Sequence, residues 1–221
     1  MMDFHTHSLF SDGCLIPSEL VQRARKKGYE AIAITDHADI SNIDFIIPRL
    51  KKFCKETKKA YKDIACFAGV ELTHIPPVLI KSMVKKARKA GADIVVFHGE
   101  SPVEPVEPDS NRQAILAKVD ILAHPGHITL KEAELAKRNN VYLEITARSG
   151  HNITNGHVAS TAKKAGAELI FDTDAHAPED LADENKYEEV LKKAGLNRNE
   201  IMNVRENAIM LKKRLERGTK K

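Results

Sequence analysis

The sequence predicts an α/β protein built as a TIM-like (β/α)7 barrel, with extra helices after the last strand. Three observations carry this prediction. One local unit recurs: "KKGYEAIAITDH" at 26–37, "RKAGADIVVFH" at 88–98 and "KKAGAELIFDTDAH" at 163–176 each run from a basic helix end, through a glycine, into a short stretch rich in Ile, Val, Leu or Phe. These stretches alternate with segments whose apolar residues fall at three- and four-residue spacing, the mark of amphipathic helices. Nearly every apolar stretch ends in a histidine, or in an aspartate and a histidine, and polar strand ends all round suit a barrel, whose active site lies at that rim.

The first strand is "DFHTH" (3–7), in which alternate residues share a face, so His5 and His7 point the same way. "SELVQRARKK" (18–27) is the first helix, and Gly28 supplies the left-handed residue that ends it. The second strand ends in "TDH" at His37, and "IACFAGVELTH" (64–74) is the third. "VKKARKA" (84–90) is helical, and Gly91 stops it before the fourth strand, which ends at His98. "KVDILAHPGH" (118–127) and "NNVYLEITARSGH" (139–151) are looser copies of the unit, with the helix "KEAELAKRN" (131–139) between them. Gly166 opens the seventh strand, which ends in "TDAH". Residues 179–216 read as helical and are expected on the barrel's exterior. Strict alternation of strand and helix implies a parallel sheet, and near-continuous apolar strands fit burial on both faces. No G-x-G-x-x-G or G-x-x-x-x-G-K-[ST] follows a strand, which removes the usual signature of nucleotide-binding open sheets.

Composition sets the class. The 221 residues suit one domain over 1–221, with the motifs in 3–176 and a helical extension over about 179–216. No apolar run approaches the roughly 18 residues of a membrane span, and no basic segment followed by an apolar stretch opens the chain, so a cytoplasmic protein without a signal peptide is expected. The cysteines Cys14, Cys54 and Cys66 are scattered and form no C-x-x-C, which argues against a disulfide framework. Cys14 reads as a packing residue. The net charge of +4 gathers in the tail "LKKRLERGTKK", read as a solvated helix rather than a nucleic-acid contact.

The strand-end residues carry the chemistry. His5, His7, His37, His98, His124 and His176 stand at strand ends with Asp12, Glu71 and Asp174. One histidine there would mean little. Six with three carboxylates at one rim would leave repelling anions and unpartnered imidazoles, and cations resolve both. Mixed imidazole and carboxylate donors suit Zn, Mn or Fe better than Ca or Mg. Nine donors, one of them bridging, supply two to three divalent transition-metal ions with about three protein ligands each and leave open positions.

"HTHSLFSD", "TDH", "GVE", an isolated strand-end histidine, "AHPGH" and "TDAH", in this order, resemble the four motifs of the PHP (polymerase and histidinol phosphatase) family. The resemblance implies a distorted (β/α)7 barrel and a hydrolase of phosphate esters with up to three metals. By motif, His5, His7, Glu71 and Asp174 resemble the first site. Glu71, His98 and His124 resemble the second, with Glu71 bridging, and Asp12, His37 and His176 the third. Family members also carry a histidine where Asp12 stands. Asp36 faces away from His37 and reads as support.

Around this set, Arg148 is a candidate for gripping phosphate oxygens and His151 for protonating a leaving group. Glu144 reads as part of a structural layer inside the barrel. His74, His127 and His157 fall in loops after strands. The Pro- and Glu-rich "HGESPVEPVEPDSN" loop after His98 is expected to roof the site and repel polyanions. The expected function is hydrolysis of a small phosphomonoester, such as histidinol phosphate or a sugar or nucleotide phosphate, by a metal-activated water. A phosphodiesterase or 3′-5′ exonuclease is the alternative, because PHP domains accompany DNA polymerases. A non-catalytic RNA-binding subunit of the ribonuclease P type is a further one, but it should have lost the ligands that this sequence keeps. A small phosphorylated partner is thus favoured over nucleic acid, and no membrane contact is expected.

Overall fold

The computed structural model describes residues 1–218. Its strands are β1 (Met2–Asp3), β2 (Ala31–Ile34), β3 (His37–Ala38), β4 (Ala65–Leu72), β5 (Ile94–His98), β6 (Ile121–Ala123), β7 (Tyr142–Thr146) and β8 (Leu169–Asp172). The helices are α1 (Pro17–Lys26), α2 (Ile43–Ala60), α3 (Pro77–Ala90), α4 (Ser110–Leu116), α5 (Leu130–Asn139), α6 (Asn155–Ala165), α7 (Glu184–Lys193) and α8 (Arg198–Gly218). The strands pair in parallel in the order β1-β2-β4-β5-β6-β7-β8, and β3 continues the second strand's place by pairing with β4. This is the predicted seven-unit barrel with one strand interrupted at Thr35 and Asp36, where the Glu71 backbone N–H donates to the Thr35 carbonyl at 3.0 Å. Gly28, Gly91 and Gly166 follow helix ends at φ of 82°, 99° and 66°, a conformation that costs glycine little.

The barrel is nearly closed. Between β1 and β8 a single bridge joins Thr6 to Ala175, with the His7 N–H donating to the Ala175 carbonyl at 2.8 Å. Side chains complete the seam. Asp172 accepts the Phe4 N–H at 2.5 Å, and Asp3 accepts the Thr173 N–H at 3.2 Å and its hydroxyl at 2.5 Å.

Two apolar layers hold the fold. The outer one sits between strands and helices and takes Leu20 and Val21 of α1, Ile46, Ile47 and Leu50 of α2, and Ile80 and Val84 of α3, all at most 4 % exposed. The inner one fills the barrel with Phe4, Phe67, Ile94, Val96, Ile121 and Ile170. Leu211 and Leu215 of α8 join this inner cluster, so the C-terminal extension covers the barrel's end from outside. The reason is burial: the barrel's N-terminal end would otherwise leave its apolar filling in water. Arg214 pairs with Asp120 at 2.9 Å and Asn207 donates to the Leu169 carbonyl at 2.8 Å, fixing α8 across the starts of β6 and β8. The 179–216 stretch is also not one helical run, since α7 and α8 are separated at Gly195 (φ 87°). Among the described residues no helix is long and apolar enough to cross a membrane.

Candidate metal centre

The opposite rim gathers the polar residues. His5 and His7 follow β1, Asp12 sits on the next loop, His37 opens β3, Glu71 lies near the end of β4, and His98 ends β5. His124 follows β6, while Asp174 and His176 follow β8. His124 and Asp174 take φ of 27° and 53°, a backbone that costs a non-glycine residue about 1–3 kcal/mol and marks sites where side-chain direction is enforced.

At the centre stand His5, His7, Glu71 and Asp174, all buried. His5 Nε2 is 3.3 Å from Glu71 Oε2 and 3.7 Å from Asp174 Oδ1; His7 Nε2 is 3.6 Å and 3.1 Å from the same two atoms. Glu71 Oε1 lies 3.5 Å from His124 Nε2, so its two oxygens face different neighbours. On one side Asp12 Oδ2 meets His176 Nε2 at 3.2 Å and His37 Nε2 at 3.6 Å. On the other, His98, His124 and His151 bring ring nitrogens within 4.8 Å of one another.

These donors fit a metal. His5 Nε2, His7 Nε2, Glu71 Oε1 and Asp174 Oδ1 are buried without a hydrogen-bond partner, an arrangement that is costly unless a cation is shared. Two atoms each about 2.1 Å from one tetrahedral ion stand ~3.4 Å apart, the range of separations above. Most of the histidines are aimed by a bond to the other ring nitrogen, as ligating imidazoles are. His5 Nδ1 lies 2.7 Å from Glu144 Oε1, His98 Nδ1 3.1 Å from the Gly99 carbonyl, His176 Nδ1 2.8 Å from the Asp174 carbonyl, and His151 Nδ1 2.7 Å from Ser101 Oγ. His37 Nδ1 lies 2.7 Å from both Thr73 Oγ1 and Glu71 Oε2.

The electrostatics are those of a charge-balanced cluster. Burial would lower the His5 imidazole, yet Glu71, Glu144 and Asp174 raise it well above its ordinary value. Burial would raise Glu71, yet His5 and His37 hold it well below the carboxylate range. His7 is pushed down to about 4 by burial, against the pull of Asp174. His151 also falls to about 4, through burial and the neighbouring His124. Neutral imidazoles are the form that metals bind.

The structure places the other candidates as follows. Glu144 is fully buried and joins two ligands, since its second oxygen accepts the His124 N–H at 2.8 Å. Asp36 accepts from the N–H and hydroxyl groups of Ser8 and Ser11 at 2.7–3.2 Å and so shapes the loop that carries Asp12. Arg148 pairs with Asp180 at 3.3 Å and lines a cleft of about 560 Å³ to which none of the nine candidate ligands contributes. Asp180 in turn accepts the N–H groups of His176 and Ala177, both at 2.9 Å. His127 and His157 pack against each other with ring centres 5.4 Å apart, and His157 lies within α6 with Nε2 2.7 Å from the Ile128 carbonyl. Cys14 is exposed, not packed. Sequence reasoning missed Glu104, which stands 3.2 Å from both His74 and His98 and 3.4 Å from His151. It also missed the buried Asp3 and Asp172 beneath His5. The spacing of two that joins Asp3 to His5, and Asp172 to Asp174, was the available signal.

Comparison with known proteins gives the family. A protein of Methanocaldococcus jannaschii named "uncharacterized" is 53% identical over 202 residues, covering 91% of this chain and 93% of its own. The DNA polymerase/3′-5′ exonuclease PolX of Bacillus subtilis is 29% identical over 82% of this chain, which spans 35% of that larger protein. A Shewanella piezotolerans protein named "Probable phosphatase" is 27% identical over 86% of this chain and 84% of its own. Among solved structures, a chain of an archaeal ribonuclease P complex with mature tRNA superposes with a TM-score of 0.72 at 17% identity, covering 96% of this chain and 89% of its own. Histidinol phosphate phosphatase of Lactococcus lactis, solved with zinc, L-histidinol and phosphate, superposes with a TM-score of 0.62 at 18% identity, covering 89% and 94%. The PHP domain profile matches residues 3–195, and the chain therefore belongs to the PHP domain family.

Proposed function

We propose that the protein is a metal-dependent phosphoesterase that hydrolyses a small phosphomonoester. The observation that carries this reading is the set of buried, unpartnered donors on His5, His7, Glu71 and Asp174, spaced as ligands of a shared cation. Two to three divalent ions of the Zn, Mn or Fe type, when bound, supply an activated water and positive charge for the phosphoryl oxygens. His5, His7, Glu71 and Asp174 would hold one ion. His98, His124 and His151 would hold a second with Glu71, and Asp12, His37 and His176 a third. Glu71 spans the first two groups through its separate oxygens. His151 is held neutral, which suits a ligand better than the proton donor considered from sequence. Arg148 is available to phosphate only by sharing its bond with Asp180. The likeness to the Lactococcus phosphatase, solved with zinc and phosphate, supports a monoester.

A nucleic-acid substrate is the second reading, motivated by the PolX relative and the ribonuclease P likeness. Glu100, Glu104, Glu107 and Asp109 on the loop beside the site weigh against a polyanion.

The test is elemental analysis of the purified protein, paired with hydrolysis of phosphomonoesters and of diesters or oligonucleotides under each metal. Two to three equivalents and a monoester preference are expected, with Glu71→Gln inactive and metal-depleted. Less than one equivalent after reconstitution, or a Glu71→Gln variant at near-normal rate, refutes the reading.

A further inference from the structure

We propose that Glu104 is a carboxylate gate: in the resting protein it takes the position at the His98–His124–His151 group that an incoming phosphate oxygen needs, and it leaves when phosphate binds. The proposal rests on the phosphoesterase reading only for the identity of the incoming anion.

The geometry is that of one ligand more than the three imidazoles and Glu71. Glu104 Oε2 is 3.2 Å from His98 Nε2, and Oε1 is 3.4 Å from His151 Nε2. These separations match the ~3.4 Å edge of a tetrahedral ion's ligand set. With a carboxylate there, the group of three imidazoles has no open position on that side. A phosphate oxygen and Glu104 are both anionic acceptors with the same partners, so they compete for one place and repel each other.

The loop is built to hold its stem and free its tip. Asn111 accepts the Glu100 N–H at 3.0 Å, donates to the Pro125 carbonyl at 2.9 Å, and receives the Glu100 carboxylate on its own N–H at 2.9 Å. Gly99 and Gly126 let the stem lie against the His124 loop: a Cβ on Gly99 would sit 2.4 Å from the Ala123 carbonyl, and one on Gly126 would overlap the Glu100 carbonyl. Beyond this stem, Pro102, Pro105 and Pro108 fix φ along a turning tip in which the Val106 N–H donates to the Glu104 carbonyl at 2.9 Å. Val103 is 48 % exposed and the Glu104 side chain 37 % exposed. Glu104 thus reaches the site from a part-exposed segment, and its own ion pairs are with His74, His98 and His151. His74, at φ 51° on the loop after β4 and 3.2 Å from Glu104 Oε2, is the latch. It stands outside the His98–His124–His151 group.

The test uses the full chain, with zinc and inorganic phosphate as separate probes. Zinc affinity is read by competition with a chromophoric chelator. Phosphate affinity is read by calorimetry on protein saturated with zinc. A gate predicts opposite movements in Glu104→Gln: the weakest zinc is held about tenfold less tightly, while phosphate binds severalfold more tightly. His74→Ala, which unlatches the carboxylate and removes a ring stacked on His98 with centres 5.4 Å apart, should tighten phosphate with zinc stoichiometry unchanged, and it keeps the proposal testable if Glu104→Gln fails to fold. Weakening of both ligands would make Glu104 a permanent ligand and overturn the gate, as would unchanged phosphate affinity in both variants. If phosphate tightens yet no phosphate ester is hydrolysed by any form, the gate stands and the phosphoesterase reading falls.

Discussion

Replacing Glu144 with glutamine tests whether the site depends on residues that touch no metal. Glu144 is buried among the barrel strands, with one oxygen 2.7 Å from His5 Nδ1 and the other accepting the His124 N–H at 2.8 Å. Both partners are donors when His5 presents its Nε2 lone pair to the centre. A carboxylate accepts from both, whereas an amide has one acceptor and one donor end. Glu144→Gln therefore keeps one bond and turns the other into a donor facing a donor. A buried hydrogen bond to a charged group is worth about 1.5–3 kcal/mol, which at about 1.4 kcal/mol per tenfold predicts a ten- to hundredfold loss of metal affinity, the scale seen when outer partners of ligating histidines are removed. Chelator competition against zinc or manganese measures it, with the melting temperature of the chelator-treated protein reporting any loss of fold. Affinity equal to wild type in a folded variant would refute the argument, because it would mean that His5 and His124 are aimed without Glu144.

Three further outcomes are expected. Arg148→Ala should keep its metal and lose roughly ten- to a hundredfold in kcat/KM if the guanidinium grips phosphate oxygens, whereas Asp12→Asn should lose metal as well as activity; full activity in Arg148→Ala on every substrate would return this arginine to structural pairing with Asp180. Burial pushes Asp3 up from 3.8 to about 6, so the unfolded chain releases this proton first as pH rises, and the Asp3 contribution to the stability of chelator-treated protein should fall between pH 4 and 6. Asp3→Asn should flatten that slope in melting experiments, and an unchanged slope would place the effect elsewhere. The free thiols of Cys54 and Cys66 lie 3.0 Å apart, so oxidised glutathione should join them with release of two glutathione thiols and raise the melting temperature by several degrees, a loop of this length being worth about 3 kcal/mol; no rise, or one that survives in Cys66→Ser, counts against the pairing.

The repeating unit made the barrel legible because its signals are local. A basic helix end, a glycine and an apolar run are read within a dozen residues, and Gly28, Gly91 and Gly166 take the left-handed backbone expected of them. Eight of the nine rim candidates stand at or just beyond a strand end that the pattern marks, while Asp12 lies on the loop after the first strand. What escaped depends on where distant segments meet. Glu104 lies on a loop with no periodicity, and only the fold brings it to His74, His98 and His151. The Cys54–Cys66 contact joins α2 to β4 across a register that composition does not encode. Leu211 and Leu215 show the ordinary stripe of an amphipathic helix, and nothing local says that the surface they meet is the open end of the barrel and not its flank.

The seam between β1 and β8 has a consequence for how the protein is made. His5 and His7 leave the ribosome some 170 residues ahead of Asp174 and His176, which face His7 across that seam. At about 5–20 residues per second the first pair waits on the order of ten seconds or more for the second. During that interval the nascent chain carries a two-histidine claw with no opposing carboxylate, free to pick up whichever divalent ion the cell offers. On the metal-centre proposal, expression in media of different metal content should yield differently loaded protein that converges on one composition only after re-equilibration, and identical loading from every medium would count against such early capture.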